Sequence, residues 1–241
     1  MGRAHEVRAA SMAKTAAAKT KVYSKYGKEI YMAAKSGVPD PAMNLTLKHV
    51  IEKAKAAQVP GDVIKRNIEK AKDSSAAAYL SATYEGFGPG ASTLIIDCLT
   101  ENTNRSYSEV RNCFSKMHCN LGSKGSVSFN YTSAGVLEYE GDEEEEVLDA
   151  LVMADVDVRD VKAEDGEMRI LVAPNDLYKA KDAIDELHAD TKFDTLEIQM
   201  LPNETVTLSA EELESFKKLL SFLNDVDDVQ DIYHNVVMNE E

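Results

Sequence analysis

Apolar residues in the first third of the chain recur every three to four positions. Val22, Tyr23, Tyr26, Ile30 and Ala33–Ala34 make one stripe. That period predicts an amphipathic helix with Lys21, Lys25, Lys28 and Lys35 pointing outward. Gly37 and Pro39-Asp40-Pro41 stop it, because neither residue type continues a helix. A second helix buries Leu47, Val50, Ile51 and Ala54. Val59-Pro60-Gly61-Asp62 turns into a third, which carries Val63, Ile64, Ile68 and Ala71. Residues 73–78 have no apolar period and read as a linker.

From Tyr79 the period shortens to two. Leu80, Ala82 and Tyr84 alternate, Gly86-Phe87-Gly88-Pro89-Gly90 turns, and Thr93-Leu94-Ile95-Ile96 starts a buried strand. A helix is expected over 105–118, burying Val110, Phe114 and Met117, and a further strand near 126–131. Residues 135–200 then give strand (136–139), helix (144–153), strand (156–161), strand (168–173), helix (175–187) and strand (195–201). This β-α-β-β-α-β order is ferredoxin-like. After Pro202 come a short strand, a helix opened by the capping box Ser209-Ala210-Glu211-Glu212, and a last strand over 229–236. The fold class is α+β.

Charge changes this picture most. Residues 1–72 hold 15 Lys and Arg against 6 Asp and Glu, a net of +9, while residues 73–241 hold 12 against 36, a net of −24. Residues 135–200 alone carry 6 basic against 21 acidic residues. Such asymmetry points to polyanion binding by the basic part. With 44 % apolar residues the chain is able to build cores, and no apolar run approaches the roughly 18–20 residues of a membrane span. The first twenty residues lack the apolar stretch of a secretory signal, and Glu6 argues against an organellar leader and against N-myristoylation. A cytoplasmic protein without a membrane partner is expected. Cys98, Cys113 and Cys119, an odd number, read as reduced thiols.

The candidate nucleic-acid contacts are Arg3, Arg8, Lys14, Lys19, Lys21, Lys25, Lys28 and Lys35, with Lys65, Arg66, Lys70 and Lys72 on the third helix. Such cations neutralise phosphates and release counterions, which needs charge density more than exact spacing. The competing reading is a solvated helix surface. A second polar group comprises Asn102, Asn104, Arg105, Arg111, Lys116 and Lys124. Arg105 near a helix start suits a phosphate; alternatively Ser106 or Asn104 caps the helix and Arg105 pairs with Glu101 or Glu109. The Gly86–Gly90 run leads into a strand, so it reads as a hairpin turn and not as a phosphate cradle. Cys113, His118 and Cys119 lack structural-zinc spacing, and Asp142–Glu146 lacks the pattern of a calcium loop. No nucleophile–histidine motif appears. The expectation is a non-enzymatic protein with no catalytic residue, metal, cofactor or small-molecule substrate. The strands VDVRDV and MRILVA of the ferredoxin-like stretch hold no aromatic for base stacking, so this acidic module is expected to avoid RNA and to suit a protein partner or electrostatic exclusion.

The stretch YEGFGPGASTLIIDCLTENTNRSYSEVRNCFSKMHCNLGSKGSVSFNY (84–131), the head segment GVPDPAMNLTLKHVIEKAKAAQVPGDVIKRNIEKA (37–71) and the tail DDVQDIYHNV (227–236) resemble the YebC/PmpR family, and the opening MGR with GKEIYMAAKSG resembles its YeeN-like branch. The resemblance implies three domains: a basic helical bundle with linker (1–78), a discontinuous α/β domain (79–133 plus 202–241), and an inserted acidic ferredoxin-like domain (134–201). It implies a DNA-binding transcriptional regulator acting on promoter DNA. The alternatives it carries are a ribosome-associated factor that contacts ribosomal RNA and aids elongation through proline-rich stretches, and an acidic protein-interaction scaffold. Many members open with Lys-Trp-Ala-Asn and several basic residues. Here Ala4-His5-Glu6-Val7-Arg8 stands at that place, so any role of that Trp does not transfer.

Overall fold

The predicted helices form where their apolar stripes meet. In the computed structural model, which describes residues 3–73, 79–189 and 191–238 with side chains from Lys19 onward, α1 (Arg3–Lys35), α2 (Leu45–Ala56) and α3 (Gly61–Lys72) enclose Ile30, Tyr31, Ala34, Leu47, Ala54 and Ile64. Asn44 joins the first two. Its Oδ1 accepts the Leu47 N–H (3.0 Å) as an N-cap, and its Nδ2 donates to the carbonyls of Ala33 (2.8 Å) and Val38 (2.9 Å). Gly37 is required there, since a Cβ would fall 2.7 Å from Asn44 Nδ2.

The chain divides into two compact units. One contains residues 1–84, 96–113 and 218–231; the other contains 85–95, 114–217 and 232–241. Four strands, β1 (Leu80–Phe87), β2 (Thr93–Thr100), β3 (Asn120–Leu121) and β8 (Val229–His234), make one sheet in the order β3-β1-β2-β8. The helix after β2, α4 (Thr103–Lys116), starts two residues earlier than its sequence suggests. The cap is neither Ser106 nor Asn104: Asn102 Oδ1 accepts the N–H groups of Asn104 and Arg105, both at 3.1 Å, and Ser106 is fully buried.

In the second unit, β4 (Tyr131–Glu140), α5 (Glu144–Met153), β5 (Val158–Glu164), β6 (Glu167–Val172), α6 (Leu177–Leu187) and β7 (Phe193–Pro202) follow the predicted order. Their antiparallel sheet, β5-β6-β4-β7, sets Leu137 opposite Ile170 on one side and Leu196 on the other. This is the ferredoxin-like arrangement. Val147, Leu151, Ala180 and Ile184 from the two helices close over Leu137, Met168 and Ile170. The helix α7 (Ala210–Asn224) begins at the expected capping box: Glu212 Oε2 accepts both the Ser209 N–H (2.9 Å) and the Ser209 hydroxyl (2.7 Å). The short strand after Pro202 reduces to one bridge, Val206 with Val236.

The strand expected near 126–131 does not form. Residues 128–130 make a 3-10 turn, and β4 begins only at Tyr131. The reason is Glu85, whose carboxylate takes the N–H groups of Gly125, Val127 and Ser128 and leaves them unavailable to a neighbouring strand. Among the described residues no helix is long and apolar enough to cross a membrane.

Candidate nucleic-acid interface

The row of lysines on α1 meets carboxylates from the far end of the same unit. Lys21 Nζ lies 2.7 Å from Asp225 Oδ1 and 2.6 Å from the Asn224 carbonyl. Lys25 Nζ lies 2.5 Å from Asp231 Oδ1. Lys28 Nζ donates to Asp228 Oδ1 (3.1 Å) and to the carbonyls of Leu99 (3.1 Å) and Asp227 (2.8 Å). An ammonium has three N–H donors, so Lys28 is fully satisfied, and it is only 8 % exposed.

Lys28 is therefore not an outward-facing residue, and Lys21 and Lys25 are not free cations. The helical period correctly placed all three off the apolar stripe of the bundle. It carried no information about residues some 200 positions away that cover that face.

Asp228 is the centre of this clasp. Its Oδ2 accepts Arg105 Nη2 (2.9 Å) and Thr100 Oγ1 (2.7 Å), while Oδ1 accepts Lys28. Burial pushes the carboxyl up; the Arg105 guanidinium, the Thr100 hydroxyl and the Lys28 ammonium together outweigh it and hold it below the ordinary carboxylate range. Arg105 is thus committed to Asp228 and not to Glu101 or Glu109. Its Nη2 is engaged with Asp228, while the side chain as a whole stands about half exposed. A cavity of about 330 Å³ opens beside the clasp, and Glu101, Asp227 and Asp228 line it together with Lys21, Lys28 and Arg105. That balance of signs does not favour an anion.

The other predicted cations are distributed unevenly. Lys35 donates to the Asp73 carbonyl (2.8 Å). Lys70 sits 5.4 Å and 5.2 Å from the ring centres of Tyr31 and Tyr79, with Glu101 at 3.9 Å. Lys72 pairs with Glu69 at 2.5 Å. By contrast Lys65 and Arg66 are exposed, and among the described residues neither has a hydrogen-bond or ion-pair partner. Lys19 is exposed on α1. On α2, Lys48 and Lys55 are also exposed. They were not singled out from the sequence, although their alternation with buried Leu47, His49, Ile51 and Ala54 was a sufficient signal. Residues 45–72 carry seven Lys and Arg against three Asp and Glu, so among the described residues α2 and α3 keep exposed positive charge, beside Lys19 on α1. The side chains of Arg3, Arg8 and Lys14 lie outside the described residues.

Of the second group, Asn102 is a cap, Asn104, Arg111 and Lys116 are exposed on α4, and Lys124 is exposed on the loop before β4. Cys98 is buried and its thiol is pushed up to about 11, chiefly by burial. Cys113 donates to the Phe222 carbonyl. Among the described residues no three His, Cys, Asp or Glu side chains stand close enough to hold a metal ion.

Comparison with known proteins supplies what geometry does not. Residues 3–74 match the model of the TACO1/YebC N-terminal domain, and residues 79–236 match that of the TACO1/YebC second and third domains. A protein of Alteromonas mediterranea named a probable transcriptional regulatory protein is 48 % identical over 98 % of this chain and 99 % of its own length. One from Marinobacter nauticus with the same description is 47 % identical over the full length of both. A crystal structure of a conserved hypothetical protein from Aquifex aeolicus superposes with a TM-score of 0.79 at 32 % identity, covering 92 % of this chain and 91 % of that one.

Proposed function

The chain belongs to the TACO1/YebC family, and from that premise we propose that it is a non-enzymatic regulator of gene expression that binds the phosphate backbone of DNA through α2 and α3. The relatives' shared description as probable transcriptional regulatory proteins supports the regulatory part. One observation carries the binding part: Lys65 and Arg66 are exposed and unpaired on a helix pair with an excess of positive charge. At physiological salt the Debye length is about 8 Å, so carboxylates farther off hardly weaken the local field. The mode is phosphate and shape contact without base reading, and Lys65, Arg66, Lys48 and Lys55 are its contacts.

The test is a salt titration of binding to a DNA duplex. Changing Lys65 and Arg66 together to Glu should weaken binding and flatten the dependence of log K on log salt by about 0.9 for each phosphate contact removed. An unchanged slope would remove α3 from the interface. The same surface suits ribosomal RNA, and sedimentation of the full chain with ribosomal subunits decides between the two. Salt-resistant co-migration would replace the DNA reading with a translational one; free sedimentation together with a promoter footprint supports the DNA reading.

A further inference from the structure

Residues 110–137 contain no Asp or Glu, in a chain that has 42 of them, and carry Arg111, Lys116 and Lys124. In the second unit this stretch includes the loop between β3 and β4. One carboxylate from outside the stretch shapes that loop. Glu85, 4 % exposed, accepts the N–H groups of Gly125 (2.7 Å), Val127 (2.6 Å) and Ser128 (2.9 Å), while its carbonyl accepts that of Gly122 (2.7 Å). Burial pushes this carboxyl up, and the three N–H donors pull it below its usual value. The loop is therefore wrapped around a buried, ionised anchor. Its glycines fit the same purpose: a Cβ on Gly122 would fall 2.3 Å from Ser126 Oγ, and Gly125 has φ +87°.

At the exit of this braced loop, the 3-10 turn closed by the Asn130 N–H on the Val127 carbonyl (3.0 Å) displays Phe129. Phe129 is 78 % exposed, more than any other described aromatic residue. An aromatic ring left in water gains nothing from folding, and one held out on a rigid backbone is preorganised for a partner with a flat apolar face. Two kinds of partner have such a face, an aromatic-lined protein pocket and a nucleobase. The absence of carboxylates through 110–137 and the exposed Lys124 in the loop favour the partner that carries phosphates. Two acids flank the turn: Glu85, which accepts the N–H of Ser128 (2.9 Å), and Glu204, next to Asn203, whose N–H donates to the Asn130 carbonyl (2.9 Å).

We infer that Phe129 is a stacking platform for an unpaired base of a single-stranded nucleic acid, with the exposed Lys124 of the same loop for a phosphate. The inference rests on the nucleic-acid reading above and adds a contact of different chemistry, since duplex DNA offers no free base face. RNA, whose loops and bulges splay bases out onto aromatic side chains, is the source to which the surface is assigned.

The experiment measures binding of the full chain to a short single-stranded RNA, the matching DNA strand and the DNA duplex. Phe129→Ala should weaken the single-stranded RNA about 5- to 160-fold, the range of one lost base stack, weaken the matching DNA strand less, and leave the duplex unchanged. Phe129→Trp should retain single-strand affinity, and an unshifted melting temperature shows that the fold is intact. Undiminished single-strand binding by Phe129→Ala overturns the inference, as does an equal loss on the duplex. The Lys65→Glu, Arg66→Glu double variant separates the two readings. If it weakens binding while Phe129→Ala does not, only the stacking site falls; if the unaltered chain binds none of the three probes, both fall.

Discussion

Replacing Lys28 with Met should lower the stability of the chain by about 3–5 kcal/mol, the cost of breaking a buried ion pair from one side. At this chain length that corresponds to a fall of roughly 6–20 °C in melting temperature. The substitution keeps the length of the side chain and removes only the ammonium. It leaves Asp228, nearly inaccessible to water, with two of its three donors, and it leaves the carbonyls of Leu99 and Asp227 without theirs. Two further measurements identify the cause. Adding Asp228→Asn to Lys28→Met should recover part of the loss, because it removes the buried charge while keeping an oxygen that accepts from Arg105 or Thr100. The difference between wild type and Lys28→Met should also depend on pH. The Asp228 carboxyl is held below its unfolded value, so its contribution is complete above about pH 4 and is lost as the pH falls through the folded value. A melting temperature insensitive to Lys28→Met at neutral pH would refute the clasp.

Glu85→Ala should cost a similar amount, about 3–5 kcal/mol, from three backbone N–H groups deprived of their acceptor at about 1–3 kcal/mol each, reduced where water reaches them. Glu85→Gln should remain clearly destabilising. Oε1 and Oε2 both accept, and an amide replaces one of those oxygens with a donor. Hydrogen exchange provides the local readout: the amides of Gly125, Val127 and Ser128 should lose protection in both variants while those of the ferredoxin-like sheet keep theirs. Here too the carboxyl is held below its ordinary value. Stability from this contact is present above about pH 4.5 and drains away in more acidic solution. Unchanged exchange at these three amides would mean that the loop is braced by something else.

Both contacts show where sequence reasoning succeeded and where it stopped. Periodicity located the helices of the head because Leu47, Ile51, Ala54, Ile64 and Ala71 are buried at the spacing of a single helical face. Alternation and turn residues gave the ferredoxin-like order for the same reason, and the Ser209–Glu212 box worked because a cap is written within four residues. What failed was long-range charge pairing. Lys21, Lys25 and Lys28 were assigned to solvent, and Arg105 to Glu101, Glu109 or a phosphate, because the aspartates that receive them stand 123 to 206 positions away. Glu85 was invisible for a related reason. A carboxylate between Tyr84 and Gly86 reads as an exposed strand position, and nothing local says that a distant loop will fold its amides over it. Lys48 and Lys55 are legible as outward positions, because Leu47, Ile51 and Ala54 set the buried face of α2. Among the described residues, the cations of the head that no acid reaches are fewer than its composition suggests.

The aspartates opposite Lys21 and Lys25 also set a threshold for any ligand that approaches α1. Each is covalently tethered, so its effective concentration near its lysine is of millimolar order or higher. An isolated phosphate at lower concentration cannot displace it. Only a polymer that presents many phosphates at once, already anchored on neighbouring helices, would compete on equal terms with this built-in counterion.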